Sequence, residues 1–262
     1  MTTLEGFDEG EFTAEGKTRT VYRTGTGPAV IVISEIPGIT PAVAAFARRV
    51  ADVGCTVVMP SLFGVPGKDP STGYGLQSMV HACVSREFAT FALRRTSPVT
   101  TWLRALARAE HERCGGPGVG VVGMCLTGGF ALAMMVDDAV LAPVLSQPSL
   151  PFPMSKKHKA DLGISDEDLA EVKRRAEAGV EVVGLRFTGD KLCPGERFDR
   201  LEAELGDAFV RVDIDSSPGN EWDIPSRAHS VLTEHLTIEP GHPTLAALDT
   251  VLDLFRRKLL VL

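Results

Sequence analysis

Short unbroken apolar runs alternate along this chain with longer stretches whose apolar positions recur every three or four residues. Pro28 to Ser34 (PAVIVIS) and Cys55 to Met59 (CTVVM) are runs of the first kind, the mark of strands buried on both faces of a sheet. Val119 to Val122, Val140 to Leu145, Val182 to Phe187 and Phe209 to Ile214 repeat the signal. Between them, residues 42–53, 98–113, 195–205 and 244–259 carry helical periodicity, and so does a stretch at about 77–93. Gly54 closes the first helix, and Ser165 with Asp168 caps another that runs to about Ala178. Glu11 to Thr13 and Thr18 to Tyr22, joined at Glu15-Gly16, read as a β-hairpin. Strands alternating with helices after a hairpin predict an α/β fold with a mainly parallel sheet. Residues 61–75, rich in glycine and proline, and residues 146–164 are left as long loops, expected to wall a pocket.

Composition narrows the class. In 262 residues, 44% hydrophobic content is ample for a full core and 23% charged content suits a soluble globule. The net charge of −7, with no basic tract, argues against nucleic acid or an anionic membrane as partner. The start, MTTLEGFDEGEF, is acidic and lacks the apolar core of a signal peptide, and no window has the apolar length of a membrane span. Cysteines 55, 83, 114, 125 and 193 are odd in number and form no C-x-x-C pair, so neither a disulfide framework nor a zinc site is expected. A reduced, cytoplasmic protein without metal or cofactor is the expectation.

Cysteine 125 stands apart from the other four. In VVGMCLTGGF it follows a strand, with Gly123 two places before it and Gly128-Gly129 opening a helix behind it. A residue on such a corner is lifted clear of the sheet at the positive end of a helix, which favours a thiolate. The arrangement has the shape of a nucleophile elbow with cysteine for serine. In open α/β sheets the site lies beyond the C-terminal strand ends, where loops 34–40, 123–127, 188–194 and 215–230 meet. Asp190 lies in the third loop and His229 ends the fourth, giving the order nucleophile, acid, histidine of α/β-hydrolases. The chemistry needs all three: a thiolate that attacks, a base that takes and returns a proton, and a carboxylate that orients the base. His242 and His235 also follow the last strand. His235 is expected on a helix that begins near His229, and His242 at the start of the last helix, so His229 is preferred.

From about residue 10 to the last helix the chain resembles the dienelactone hydrolases. The resemblance rests on Gly123-Met124-Cys125-Leu126, on Gly189-Asp190-Lys191-Leu192-Cys193-Pro194, on His229-Ser230 and on Glu35-Ile36. It implies an α/β-hydrolase fold in a single domain over residues 1–262. It also implies a Cys125–Asp190–His229 triad, a Glu35 that controls the thiol's protonation, and an oxyanion hole made by the backbone N–H groups of Ile36 and Leu126. Two positions depart from the pattern. Thr127 replaces a glycine, where a β-branched residue would displace the helix or rotate the elbow. Thr233 replaces an arginine that helps hold a substrate carboxylate. Arg86 is a candidate replacement charge, and Trp222 a candidate pocket wall. Cys193 and Cys83 read as packing cysteines. The expected function is cysteine-dependent hydrolysis of a small ester, lactone or thioester. The alternative is a non-catalytic small-molecule binding or regulatory protein that keeps the pocket.

Overall fold

The computed structural model describes residues 3–71, 73–75, 77–78 and 97–260. Strands β1 (Asp8–Ala14) and β2 (Lys17–Thr24) form the hairpin, turning through Glu15 and Gly16, both at positive φ (52° and 68°). That pair of dihedrals matches the right-handed twist of the flanking strands. The hairpin docks antiparallel on β4 (Thr56–Pro60). From there β3 (Ala29–Ile33), β5 (Val119–Met124), β6 (Val140–Ser146), β7 (Val182–Phe187) and β8 (Phe209–Ile214) continue in parallel, giving the order β1-β2-β4-β3-β5-β6-β7-β8. The sheet is mainly parallel, as the alternating pattern predicts, and its fold is the α/β-hydrolase fold that the resemblance implies.

Both faces of the sheet are covered. In β3, Ala29, Ile31 and Ile33 pack on one face while Val30 and Val32 pack on the other. The second face is covered by α1 (Pro41–Asp52) and α6 (Pro243–Phe255), through Val43, Phe46, Val50, Leu248, Val251 and Phe255. The first is covered by α2 (Pro98–Cys114), α3 (Gly128–Met134), α4 (Asp166–Glu177) and α5 (Gly195–Leu205). Each fully buried aliphatic or aromatic side chain contributes about 1.5–3 kcal/mol by leaving water. Trp102 on α2 also ties the hairpin down. Its indole donates to the Lys17 carbonyl at 3.0 Å, and its ring meets Phe12 edge-on at 5.3 Å.

Helix starts follow their caps. Thr40, Ser97 and Ser165 accept from the backbone N–H three residues on, and Pro41 and Pro98 occupy the first helical turn, where a missing N–H costs nothing. Three expectations need adjusting. Residues 146–164 contain a helical turn, Lys156–Lys159. The last helix ends at Phe255 and relaxes into a π-helical turn, Arg256–Leu260. Residues 226–242 form turns and irregular loop with no helix, so His235 does not sit on a helix. The predicted helix at 77–93 lies almost entirely outside the described residues, and with it Arg86, Cys83 and His81. No helix among the described residues is long and apolar enough to cross a membrane.

Candidate active site

The site is assembled at the C-terminal edge of the sheet. β3 and β5 are neighbours, with Ile33 opposite Gly123. The segments Glu35-Ile36 and Cys125-Leu126 therefore leave the sheet side by side. Cys125 has φ +54°, a left-handed conformation that costs a non-glycine residue about 1–2 kcal/mol. Such strain persists only where the surroundings impose it. Here Gly123 imposes the close approach, because a Cβ at that position would lie 2.2 Å from the Thr127 carbonyl oxygen. A Cβ at Gly128 would lie 2.6 Å from the Pro148 Cα, so the helix start packs tightly on the 146–164 loop there. Thr127 does not disturb the turn. It is fully buried, and its hydroxyl accepts from the Met124 N–H at 2.9 Å and lies 3.0 Å from the Ile33 carbonyl as donor. The departure at position 127 thus clips the elbow to the strand that carries Glu35 and Ile36. The Leu126 N–H, in the first turn of the helical run, has no carbonyl within that run to bond.

Asp190 follows β7 directly and is buried. One carboxylate oxygen accepts from the Leu192 N–H at 2.9 Å, and the other bonds His229 Nδ1 at 2.6 Å. Behind it the buried Arg186 guanidinium donates to the Cys193 and Thr188 carbonyls and to Asp213, fastening the acid's loop to its strand. Burial by itself pushes the pKa of His229 down. The hydrogen bond to Asp190, with the influence of Cys125 close by and the charges of both, outweighs that and raises it to about 11. Nδ1 is engaged with Asp190, so the Cys125 interaction falls to the Nε2 side. Nε2 is buried and has no acceptor at hydrogen-bond distance. Asp190 is thus bonded to His229, and Cys125 lies close enough to affect the ring's titration.

The histidine's loop is held from two directions. His235 Nδ1 accepts from the Ser230 N–H at 3.3 Å and faces the His229 N–H at 3.5 Å. An imidazole that accepts there must be neutral, and burial lowers the pKa of His235 accordingly. On the other side the Ser230 hydroxyl donates to Glu35 at 2.6 Å. Glu35 is buried and also receives the Gln147 amide at 3.1 Å and the Thr233 hydroxyl. Thr233, at the position of the family's arginine, therefore serves Glu35 as a neutral donor. No hydrogen bond joins Glu35 to Cys125 among the described residues.

Other candidates fall elsewhere. Trp222 packs edge-on against His242 at 5.0 Å, in a cleft shared with Asp213, Asp215 and Pro243, and not in the cleft that contains His229. His242 caps α6, accepting from the Thr244 N–H at 3.2 Å. Cys193 is fully buried, and burial drives its thiol pKa far up, as suits a packing cysteine. Among the described residues no group of three or more His, Cys, Asp or Glu side chains is placed to hold a metal ion. Arg197 is a further structural residue of the site's wall. It is fully buried and donates to the carbonyls of Pro148, Pro151, His158 and Asp161, which folds the 146–164 wall onto α5. Its sequence signal is weak: an arginine on the apolar face of a helix.

The description of the dienelactone hydrolase family matches residues 17–222. Among solved structures, the dienelactone hydrolase of Anabaena variabilis is 15% identical, with a TM-score of 0.61 over 97% of this chain and 100% of that one. The dienelactone hydrolase-like promiscuous phosphotriesterase P91 from metagenomic libraries is 14% identical, with a TM-score of 0.61 over 97% and 98%. These likenesses establish the fold. No curated protein matches the chain. With the family match spanning residues 17–222 of 262, this chain belongs to the dienelactone hydrolase family and is a hydrolase of that family.

Proposed function

We propose that this hydrolase cleaves a small ester, lactone or thioester through Cys125, His229 and Asp190. One observation carries the reading: a histidine bonded to a buried carboxylate at 2.6 Å lies close to a cysteine on a strained strand-to-helix corner. The Cys125 sulfur attacks as thiolate and its electron pair forms the bond to the acyl carbon. Charge gathers on the carbonyl oxygen, beside the Leu126 and Ile36 N–H groups. The imidazolium of His229 gives its Nε2 proton to the departing oxygen or sulfur as that bond breaks. Water then attacks the thioester, His229 takes the water's proton, and Cys125 leaves as thiolate. Asp190 holds the ring in the tautomer these transfers require.

Iodoacetamide near neutral pH is expected to label Cys125 well ahead of Cys55, Cys114 and Cys193, and hydrolysis is expected to fall in step with the labelling. Cys55 and Cys193 are buried, with pKa values pushed up (Cys55 to about 11). Peptide mapping against residual activity decides the matter; labelling spread evenly over the cysteines would refute the assignment. Aryl esters, lactones and thioesters form the substrate panel. An aryl phosphotriester joins them, because P91 is described as a phosphotriesterase.

Glu35 acts in this reading as a positioning residue. Its oxygens hold Ser230 and Thr233, and so the loop that carries His229. Glu35→Gln places an amide where the Gln147 amide donates, and about tenfold in kcat is the expected loss, the size seen when a group behind a site residue is removed. The pH profile of Cys125 alkylation separates this from the charge role that the resemblance implies. If Glu35 acts by repelling the thiolate, Glu35→Gln speeds alkylation at mildly acidic pH. If it positions the loop, the profile stays put while kcat falls.

A further inference from the structure

One residue past β6 the chain takes a strained turn that the triad does not use. Gln147 has φ +36°, is fully buried, and has its side-chain amide engaged at both ends. Nε2 donates to Glu35 at 3.1 Å, while Oε1 accepts from the Val231 N–H at 3.3 Å and from the Ser146 hydroxyl. Only this orientation of the amide satisfies both neighbours, because a carboxylate accepts and an N–H donates. The backbone is held as well. The Gln147 N–H donates to the Leu185 carbonyl of β7 at 2.8 Å, and its carbonyl accepts from the Ser149 hydroxyl at 3.0 Å. A left-handed residue other than glycine persists only where its surroundings over-determine it, and such positions gather at functional sites.

β6 lies between β5, which leads into the elbow, and β7, which leads into the acid. The residues after it reach three of the segments that build the site. The Ser149 N–H donates to the Cys125 carbonyl at 3.0 Å, and Pro148 lies tight against Gly128. Gln147 reaches Glu35 on one side and, on the other, the backbone two residues past His229. The Thr127 hydroxyl already joins the elbow to the Ile33 carbonyl, two residues before Glu35. A continuous chain of hydrogen bonds thus runs from the elbow through the end of β3 and Gln147 to the histidine's loop. Resting on the reading that His229 serves Cys125, we propose that Gln147 is a positioning residue that sets the histidine's distance from the nucleophile. An amide is the side chain this task needs. Glutamate there would set a second carboxylate against Glu35, and an apolar side chain would leave the buried Val231 N–H without its acceptor.

Q147M and Q147E carry the test. In Q147M, kcat is expected to fall about tenfold or more with KM within about twofold, as when a reacting group is misplaced and binding is untouched. Backbone exchange gives an arm that needs no turnover. The Val231 amide of Q147M is expected to exchange with deuterium about tenfold faster than the parent's, while the amides of β5 keep their rates. Q147E supplies a readout that a purely structural role would not move. A protonated carboxyl at position 147 reproduces the amide's pattern, donating to Glu35 and accepting from Val231, whereas an ionised one repels Glu35. The kcat of Q147E relative to the parent is therefore expected to fall about tenfold between about pH 5.5 and about pH 8.5. Glu234 and His235, the other titratable groups that Glu35 influences, are present in both proteins and cancel in that ratio. At about pH 8.5 the exchanged pair E35Q/Q147E, which again holds one amide and one acid, is expected to recover about fivefold in kcat over Q147E. A ratio that does not change with pH, an unchanged Val231 exchange rate, or no recovery in E35Q/Q147E overturns the positioning role. Hydrolysis that survives C125A would instead overturn the catalytic reading, and the exchange arm would still decide whether Gln147 holds the histidine's loop.

Discussion

Cys125→Ala protein is expected to fold like the parent and hydrolyse nothing. The loss of rate follows from the mechanism: without a sulfur there is no acyl-enzyme, and the bound water has no activated route of its own. Retained stability follows from the backbone. Position 125 has φ +54°, which strains alanine and cysteine alike, so the exchange removes one sulfur from a site 7% exposed and adds no new strain. A melting temperature within a few degrees of the parent is expected. Cys125→Gly provides a control in the other direction, because glycine relieves the left-handed strain, and it should be at least as stable as the alanine variant. Cys125→Ser should keep only a small residue of activity. Its hydroxyl must lose a proton to a base, yet His229, whose pKa is raised against the effect of its burial by the hydrogen bond to Asp190, already carries a proton at neutral pH. Wild-type rates in Cys125→Ala on every substrate the parent cleaves would remove Cys125 from the mechanism.

The residues that this prediction uses were legible in the sequence for a physical reason. Strands buried on both faces read as unbroken apolar runs, so β3 and β5 stood out, and the glycines around Cys125 marked where the backbone must turn tightly. Asp190 and His229 follow strand ends, and the C-terminal edge of a parallel sheet gathers such loops. Long-range polar partnerships left no such trace. Glu35 lies 112 residues from Gln147, 195 from Ser230 and 198 from Thr233, and no periodicity connects them. In sequence Thr127 reads as a β-branched residue that crowds the elbow, because the partners of its hydroxyl come from two strands that meet only in the fold. In the folded chain that hydroxyl bonds both strands. Arg197 satisfies four carbonyls of an irregular loop, a function that appears only once the loop has folded around it. Trp222 shares a loop with the approach to His229, but the loop turns it toward His242.

His229→Ala is expected to lose about a thousandfold or more in kcat, the scale on which a triad base matters. The neighbouring histidines supply the contrast. His235→Ala removes the acceptor of the Ser230 N–H and loosens the loop under His229, and a loss of about tenfold is expected, the scale for a supporting residue. His242→Ala removes a helix cap and should cost about 1 kcal/mol of stability with little change in rate. A dead His242→Ala enzyme beside a near-normal His229→Ala enzyme would reverse the assignment. Stability against pH gives a second readout. The pKa of His229 in the folded chain is raised above its ordinary value near 6.5, to about 11, so its proton is bound more tightly in the folded than in the unfolded state. A group shifted in that direction contributes stability that is complete below about pH 6.5 and is lost as the pH rises through the folded value. The melting-temperature gap between the parent and His229→Ala should therefore be widest at about pH 6 and narrow steadily on the alkaline side. A gap that widens with pH would mean the ring is held neutral in the folded protein. It could then not donate the proton that the leaving group requires, and the first chemical step would need another acid.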